Sequence, residues 1–220
     1  MTEVPPRQAV RRSYDAVAEE YAAHFDDELD HKPLDRAMLA AFVEQTETGA
    51  AIADVGCGPG HVAAWIHAHG APAVGIDLSP GMVSVGRRLH PEVSFREGDF
   101  RALPAQDGEF AAVVALYSII HLEPEELSAA FGEIRRVLRP NGLLLVAFHA
   151  GTGIVHRDEW WGAAVDIDFR FLEPATVVGA IEGSGFVLQA TLERSAYPGE
   201  VATRRAYLLA RRDDADAASS

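Results

Sequence analysis

The sequence predicts an α/β fold in which a doubly wound, mostly parallel sheet carries helices on both faces. Three observations lead there. Short apolar runs stop at polar or acidic residues at 51–54, 73–77, 111–116 and 143–148, the pattern of strands buried on both faces. Segments with apolar residues at helical spacing separate these runs. The first run passes directly into Gly56-Cys57-Gly58-Pro59-Gly60, a turn between a strand's carboxyl end and a helix's amino end, where open α/β sheets take their ligands.

Each element follows from local signals. Residues 7–25 carry Tyr14, Val17, Ala18, Tyr21 and Phe25 at helical spacing, and His31-Lys32-Pro33-Leu34-Asp35 marks a turn before a helix expected over 36–47. After the first strand, Gly56, Gly58 and Gly60 permit a tight turn in which backbone approaches a ligand, and a helix follows over 61–69. The second strand ends in Asp77, and Ser79-Pro80 supplies a cap and a proline at the first helical position, which leaves Asp77 free for a ligand. Residues 93–100 give a third strand followed by Gly98-Asp99-Phe100. The fourth strand, 111–116, continues through Tyr117-Ser118-Ile119-Ile120-His121 at the same edge as the glycine turn. Glu123-Pro124-Glu125-Glu126 opens a helix with acids in its first turn, and Arg135-Arg136 with Asn141-Gly142 closes it. The fifth strand, 143–148, delivers His149 at its carboxyl end. The segment 150–172 is long for a connection and reads as a lid. A helix from Glu173-Pro174 to Gly185 and strands at 186–193 and 204–210 then complete a seven-stranded sheet. The tail from Asp213, rich in Asp and Ala, reads as disordered.

The spacing of the glycine turn separates ligand classes. A dinucleotide fingerprint places its third glycine three residues after the second, whereas Gly60 follows Gly58 by two. A phosphate loop ends in Gly-Lys-Ser/Thr, and the only lysine is Lys32. The run Asp54-Val55-Gly56-Cys57-Gly58-Pro59-Gly60 instead resembles the first motif of class I S-adenosylmethionine-dependent methyltransferases, of the small-molecule, type 11/25-like kind. Asp77 at the second strand end, the Gly98-Asp99 pair, and Leu138-Arg139-Pro140-Asn141-Gly142-Leu143 follow in that family's order over roughly residues 50–150. The resemblance implies a Rossmann-like, seven-stranded sheet with an antiparallel last strand, N-terminal helices and a lid insertion. It also implies S-adenosyl-L-methionine as cofactor and S-adenosyl-L-homocysteine as product. Carried over position by position, it assigns cofactor contacts to Asp54, Gly56, Cys57, Gly58, Gly60, Asp77, Leu78, Met82, Gly98, Asp99, Phe100 and Leu116. Asp77 would hold the ribose hydroxyls, Asp99 the adenine amino group, and Met82 the adenine face. The segment 13–21 resembles an N-terminal helix that closes over the cofactor, which brings Tyr14 and Tyr21 into the set; packing of that helix through its tyrosines explains the same pattern.

Composition bounds the rest. A chain of 220 residues suits one α/β domain, expected over 1–212: a helical cap to 48, a cofactor core over 49–149, a lid over 150–172 and a closing helix and strands. No apolar run approaches membrane-spanning length, the start lacks a secretion signal, and one cysteine, Cys57, suits a reducing cytoplasm. A net charge of −14 works against a polyanionic partner. The place after the fourth strand holds Leu116-Tyr117-Ser118-Ile119 rather than a base-methylating Asn/Asp-Pro-Pro-Tyr. A small-molecule acceptor is expected, with no nucleic acid or membrane partner and a monomer or homodimer left open.

An activated methyl leaves the protein to align an acceptor and exclude water. Where the acceptor carries a proton, a histidine near neutral pH is the natural base. His121 and His149 lie just past strand ends, with His121 preferred, and Tyr117 is placed to orient the acceptor. Trp160, Trp161 and His156 in the lid would form an aromatic pocket, pointing to an apolar or aromatic metabolite of specialised metabolism; core packing of the tryptophans is the alternative. His121, His149, His156, Glu159, Asp166 and Asp168 show no recognised metal-ligand spacing, so no metal is expected. A non-catalytic cofactor-binding regulator or scaffold and an NAD-dependent reductase are the competing classes.

Overall fold

The computed structural model describes residues 6–213. The first five residues of the expected cap, and the expected disordered tail apart from Asp213, lie outside the described residues. The central sheet is built from β1 (Ile52–Val55), β2 (Ala73–Asp77), β3 (Ser94–Glu97), β4 (Phe110–Leu116), β5 (Leu138–Ala150), β8 (Phe186–Arg194) and β9 (Arg204–Arg212). Its order is β3-β2-β1-β4-β5-β9-β8. The pairs β1–β2, β1–β4, β2–β3 and β4–β5 are parallel, while β9 runs antiparallel to both neighbours. This is the seven-stranded, mostly parallel sheet that the sequence predicts, with the antiparallel last strand that the family resemblance implies. The order reverses between β1 and β4, which opens a crevice at their carboxyl ends.

Helices α1 (Pro6–Phe25), α2 (Pro33–Gln45), α3 (His61–Ala68), α4 (Pro80–Leu89), α5 (Leu127–Val137) and α6 (Pro174–Gly183) cover the sheet. Alternation along β4 divides the core. Phe110, Val113 and Ala115 pack with Phe131, Ile134 and Ile181 on the α5–α6 face, and Ala112 and Val114 pack with Leu39, Phe42 and Ile66 on the other. Side chains of this size contribute about 1.5–3 kcal/mol each when fully buried, which clamps the central strands from both sides.

Several boundaries differ from expectation. The helix expected over 36–47 is α2, which begins at Pro33 because proline suits the first helical position and follows a 3-10 turn at Glu28–His31. Asn141-Gly142 does not stop a helix: α5 ends at Val137, and residues 139–142 bulge within the long β5, with Asn141 at φ +60°. Glu123 and Glu126 form a reciprocal capping box around the 3-10 turn Pro124–Glu126 ahead of α5. The segment 150–172 is a two-stranded antiparallel hairpin, β6 (Ile154–Trp160) and β7 (Ala163–Arg170). Its turn, Trp161-Gly162, has φ of +50° and +79°, the primed type that matches strand twist.

The hairpin and α1 hold each other. Ser13 Oγ donates to the Asp166 carbonyl at 3.2 Å and accepts from the Asp166 N–H at 2.9 Å. Asp15 accepts from Ser79 Oγ at 2.6 Å and from the Gly81 N–H at 2.9 Å, which ties α1 to the start of α4. Both elements therefore lie over the crevice.

Candidate active site

A cavity of about 1020 Å³ occupies the crevice between the sheet edge, α1 and the hairpin, at the upper end of the range for small-molecule sites. Its walls include Tyr14, Tyr21, Gly56, Gly58, Asp77, Leu78, Gly98, Asp99, Phe100 and Leu116 on one side. Tyr117, Ser118, His121, Leu122, Glu123, His156, Asp168 and Arg170 line the other.

Two glycines of the turn serve different purposes. At Gly56, φ +74°, an added Cβ would sit 2.2 Å from the Ser118 Cβ, because Ser118 closes over the turn and donates its hydroxyl to the Val55 carbonyl at 2.8 Å. At Gly58, φ +55°, a Cβ would meet only the Tyr21 ring at 3.7 Å, so backbone there faces the cavity. Gly60 does not line the cavity; it makes room for the Phe95 ring, 2.4 Å from the added Cβ. Cys57 is buried in the core below the turn, which accounts for a small residue there.

Asp77 is less free than its sequence context implies. It faces the cavity, yet Oδ2 accepts from the Gly58 N–H and Oδ1 from the Ser79 N–H, both at 2.8 Å. Each oxygen keeps a further acceptor site. Ser79 caps α4 by accepting from the Met82 N–H at 3.0 Å. Burial pushes the Asp77 carboxyl up to about 6 and Asp54, behind the turn, to about 7. Asp54 Oδ2 is buried and has no hydrogen-bond partner. Met82 is fully buried among Ala18, Ala22 and Val85 rather than on the cavity wall. Asp99 lines the cavity, but its side chain is engaged by Arg7 of α1 and accepts from the Arg101 N–H at 2.8 Å.

On the second wall, His121 stands between two partners. Its Nδ1 lies 2.8 Å from the Asp168 carbonyl and its Nε2 lies 2.8 Å from the Tyr14 hydroxyl. A carbonyl only accepts, so Nδ1 carries the hydrogen and Tyr14 donates to Nε2. Burial lowers this imidazole to about 4, so the ring is neutral.

The other expected side chains sit differently. His149 is outside the cavity lining; its Nδ1 meets Thr203 Oγ1 at 2.8 Å, and its ring packs on Tyr117 and Phe171. The Tyr117 ring lines the cavity at φ +54°, but its hydroxyl turns away, donating to Asp35 at 3.2 Å and meeting the Tyr207 hydroxyl at 2.9 Å. Trp160 and Trp161 stack at 4.7 Å between ring centres and pack on Tyr14, Tyr21, Phe25 and His24. They brace α1 from behind instead of forming the pocket wall, because the hairpin presents that face to α1. His156 does line the cavity, paired with Asp168 at 2.9 Å.

Sequence reasoning missed Arg7, Arg170 and Asp168 as cavity residues, and missed a buried network beneath Tyr117. There Asp35 accepts from Tyr207 at 2.9 Å and pairs with Arg194 at 3.1 Å, and Arg194 also pairs with Glu200 at 2.6 Å. An isolated acid in a helix beginning with proline carries no signal for a partner 159 residues away. Among the described residues, no group of three or more His, Cys, Asp or Glu side chains is arranged to hold a metal ion, and no helix is long and apolar enough to cross a membrane.

Known proteins share this architecture. A family model described as a methyltransferase domain matches residues 52–142, the stretch from β1 to the bulge in β5. A demethylmenaquinone methyltransferase of Beutenbergia cavernae is 36% identical over 99 residues, covering 45% of this chain and 40% of that protein. Another, of Renibacterium salmoninarum, is 32% identical over 151 residues and covers 62% of each. The chain thus spans about two fifths to three fifths of the length of these curated relatives. The crystal structure of magnesium protoporphyrin IX methyltransferase from Synechocystis PCC 6803 with bound S-adenosylmethionine matches with TM-score 0.75, covering 97% of this chain and 100% of that one at 18% identity, a likeness of fold. The glycine turn, the acid at the end of β2 and the sheet order agree with this likeness, and over residues 52–142 the chain is similar to a methyltransferase domain.

Proposed function

We propose that this chain transfers a methyl group from S-adenosylmethionine to a small, uncharged, apolar or aromatic acceptor. The observation that carries the reading is the buried carboxylate pair at the glycine turn: Asp54, with an unpartnered oxygen, and Asp77, open to the cavity. The cofactor is cationic at sulfur and at its amino group, so two buried carboxylates at an open backbone turn fit it. Asp77 would accept the ribose hydroxyls, and Gly56 and Gly58 would lie against the methionyl part. Gly98, Asp99, Phe100 and Leu78 would surround the adenine, and Leu116, Tyr14 and Tyr21 would close the site. When bound, the cofactor supplies an electrophilic methyl group.

The chain's own residues would then align the acceptor and remove its proton. His121, neutral and fixed by the Asp168 carbonyl, would be the base. The nature of the second wall supports an uncharged acceptor. Arg7, Arg101, Arg170 and His156 line the cavity, and each is already paired, with Asp99 and Glu126 or with Glu123 and Asp168. Among the described residues, no cation lining the cavity is without an acidic partner, which disfavours an anionic acceptor. Two of the relatives are named demethylmenaquinone methyltransferases, which fits an apolar, aromatic acceptor.

The test is incubation with the cofactor and a panel of hydroquinones, catechols, phenols, thiols and amines, with methylated product and S-adenosylhomocysteine identified by mass spectrometry. Methylation of a ring hydroxyl or ring carbon supports the proposal. Tight cofactor binding by calorimetry with no transfer to any acceptor would instead favour a non-catalytic regulator.

A further inference from the structure

We infer that the Tyr14 hydroxyl, rather than the His121 imidazole, is the group that meets the acceptor's proton, with His121 receiving the proton that Tyr14 gives up. This rests on the methyl-transfer reading above and adds a catalytic residue to it. The geometry leaves His121 little choice. Its Nδ1–H is spent on the Asp168 carbonyl at 2.8 Å, and its remaining nitrogen is covered by the Tyr14 hydroxyl at 2.8 Å. An acceptor in the cavity therefore meets the Tyr14 oxygen before it meets Nε2.

The surroundings hold Tyr14 in that position. Its ring makes edge contacts with Tyr21 at 5.9 Å, Trp160 at 5.9 Å and His121 at 5.3 Å. Its neighbours Ser13 and Asp15 fix the helix to Asp166 on one side and to Ser79 and Gly81 on the other. The stacked tryptophans, which are not cavity walls, acquire a purpose here: they hold the tyrosine against the histidine.

The step balances as follows. The acceptor's O–H proton passes to the Tyr14 oxygen while the Tyr14 proton passes to His121 Nε2. The acceptor oxygen forms a bond to the methyl carbon, and the electron pair of the broken methyl–sulfur bond stays on sulfur. One positive charge leaves the sulfonium and one appears on the imidazole, so no net charge is created in the buried site. The tyrosinate does not form, and the imidazolium keeps a hydrogen bond at each nitrogen, to the Asp168 carbonyl and to the Tyr14 oxygen; burial disfavours both ions, raising Tyr14 and lowering His121.

Two measurements test this. In ¹⁵N-histidine-labelled protein, with His121 assigned through a His121→Asn variant, the expected signature is a neutral ring protonated at Nδ1 throughout the neutral range. A Tyr14→Phe substitution, which keeps the ring contacts, moves the Nε2 resonance alone. A ring protonated at Nε2, or an imidazolium at neutral pH, would overturn the inference. With an acceptor that the wild-type chain turns over, Tyr14→Phe is expected to lower kcat by roughly 10²-fold while affinity for S-adenosylhomocysteine stays within about threefold. An unchanged kcat, or a loss confined to cofactor affinity, overturns it equally. Absence of turnover by the wild-type chain counts against the methyl-transfer reading alone, because the ring's tautomer decides the Tyr14–His121 pairing independently.

Discussion

Replacing Asp77 by Asn is the sharpest probe of the cofactor site, because the structure defines both what the carboxylate holds and what it leaves open. Its two oxygens accept from the Gly58 and Ser79 N–H groups, each at 2.8 Å. An amide keeps one oxygen and turns an NH₂ toward the other N–H, leaving a buried donor facing a donor. That costs about 1–3 kcal/mol of stability, a fall in Tm of about 2–4 °C for each kcal/mol in a domain of this size. One charged acceptor for a ribose hydroxyl is lost as well, worth about 1.5–3 kcal/mol, or roughly 10- to 150-fold in Kd. Calorimetric titration of wild type and variant with S-adenosylhomocysteine and with its 2′-deoxy analogue separates the two effects. The wild-type chain should lose affinity when the hydroxyl is removed, and the variant should lose much less. If Asp77→Asn lowers Tm but binds S-adenosylhomocysteine within threefold of wild type, the acid serves only the backbone turn and the ribose assignment is wrong.

Other substitutions read neighbouring parts of the argument. Gly56→Ala forces a Cβ to 2.2 Å from the Ser118 Cβ at φ +74° and should cost several-fold more Tm than Gly58→Ala. At Gly58 the nearest atom is 3.7 Å away, and left-handed strain of about 1–2 kcal/mol is the main cost; equal losses in a thermal melt would contradict the different roles given to these glycines. Asp35→Ala removes one of the two carboxylates paired with the buried Arg194 guanidinium, leaving Glu200, and takes the acceptor from the Tyr207 hydroxyl, so a loss of about 1–3 kcal/mol in urea unfolding is expected; a change below about 0.5 kcal/mol would show that the network contributes little. Affinity for the cofactor should also fall with pH. Burial raises both Asp54 and Asp77, to about 7 and about 6, so their charges are complete only above those values. Binding that requires the charges is full in mild alkali and weakens as pH drops, by roughly tenfold per unit for each group once below its own value. A Kd constant from pH 8 to pH 5 would remove both acids from the recognition of positive charge.

Much of the framework was legible before any coordinates. Apolar runs closed by acids or glycines located β1, β2 and β4, and Ser79-Pro80 located the start of α4, because these features depend on neighbours within a few residues. The glycine spacing separated the ligand classes for the same reason, since φ near +55° to +92° at Gly56, Gly58 and Gly60 is a demand made by the turn itself. Elements whose signals compete were read less well. Asn141-Gly142 carries the marks of a helix stop, yet the pairing of Leu143 with Ala112 and Leu138 with Phe110 absorbs it as a bulge in β5. The segment 150–172 reads as a lid with no strands assigned to it, and its hairpin escapes notice because Trp161-Gly162 is an unusual primed turn.

What the sequence determined by itself was the α/β class, the chain order of the central sheet's strands and the helices between them, and the location of the glycine turn and its acids, all of which follow from local backbone preference and apolar periodicity. The tertiary structure alone decided which polar groups meet. It turned the Tyr117 hydroxyl into the Asp35–Tyr207–Arg194 network, took His149 off the cavity wall, placed the tryptophan pair behind α1 and set the Tyr14 hydroxyl on His121. These contacts join residues up to 172 positions apart, and hydrogen-bond direction and burial at such separations arise only when the packed layers bring the side chains together.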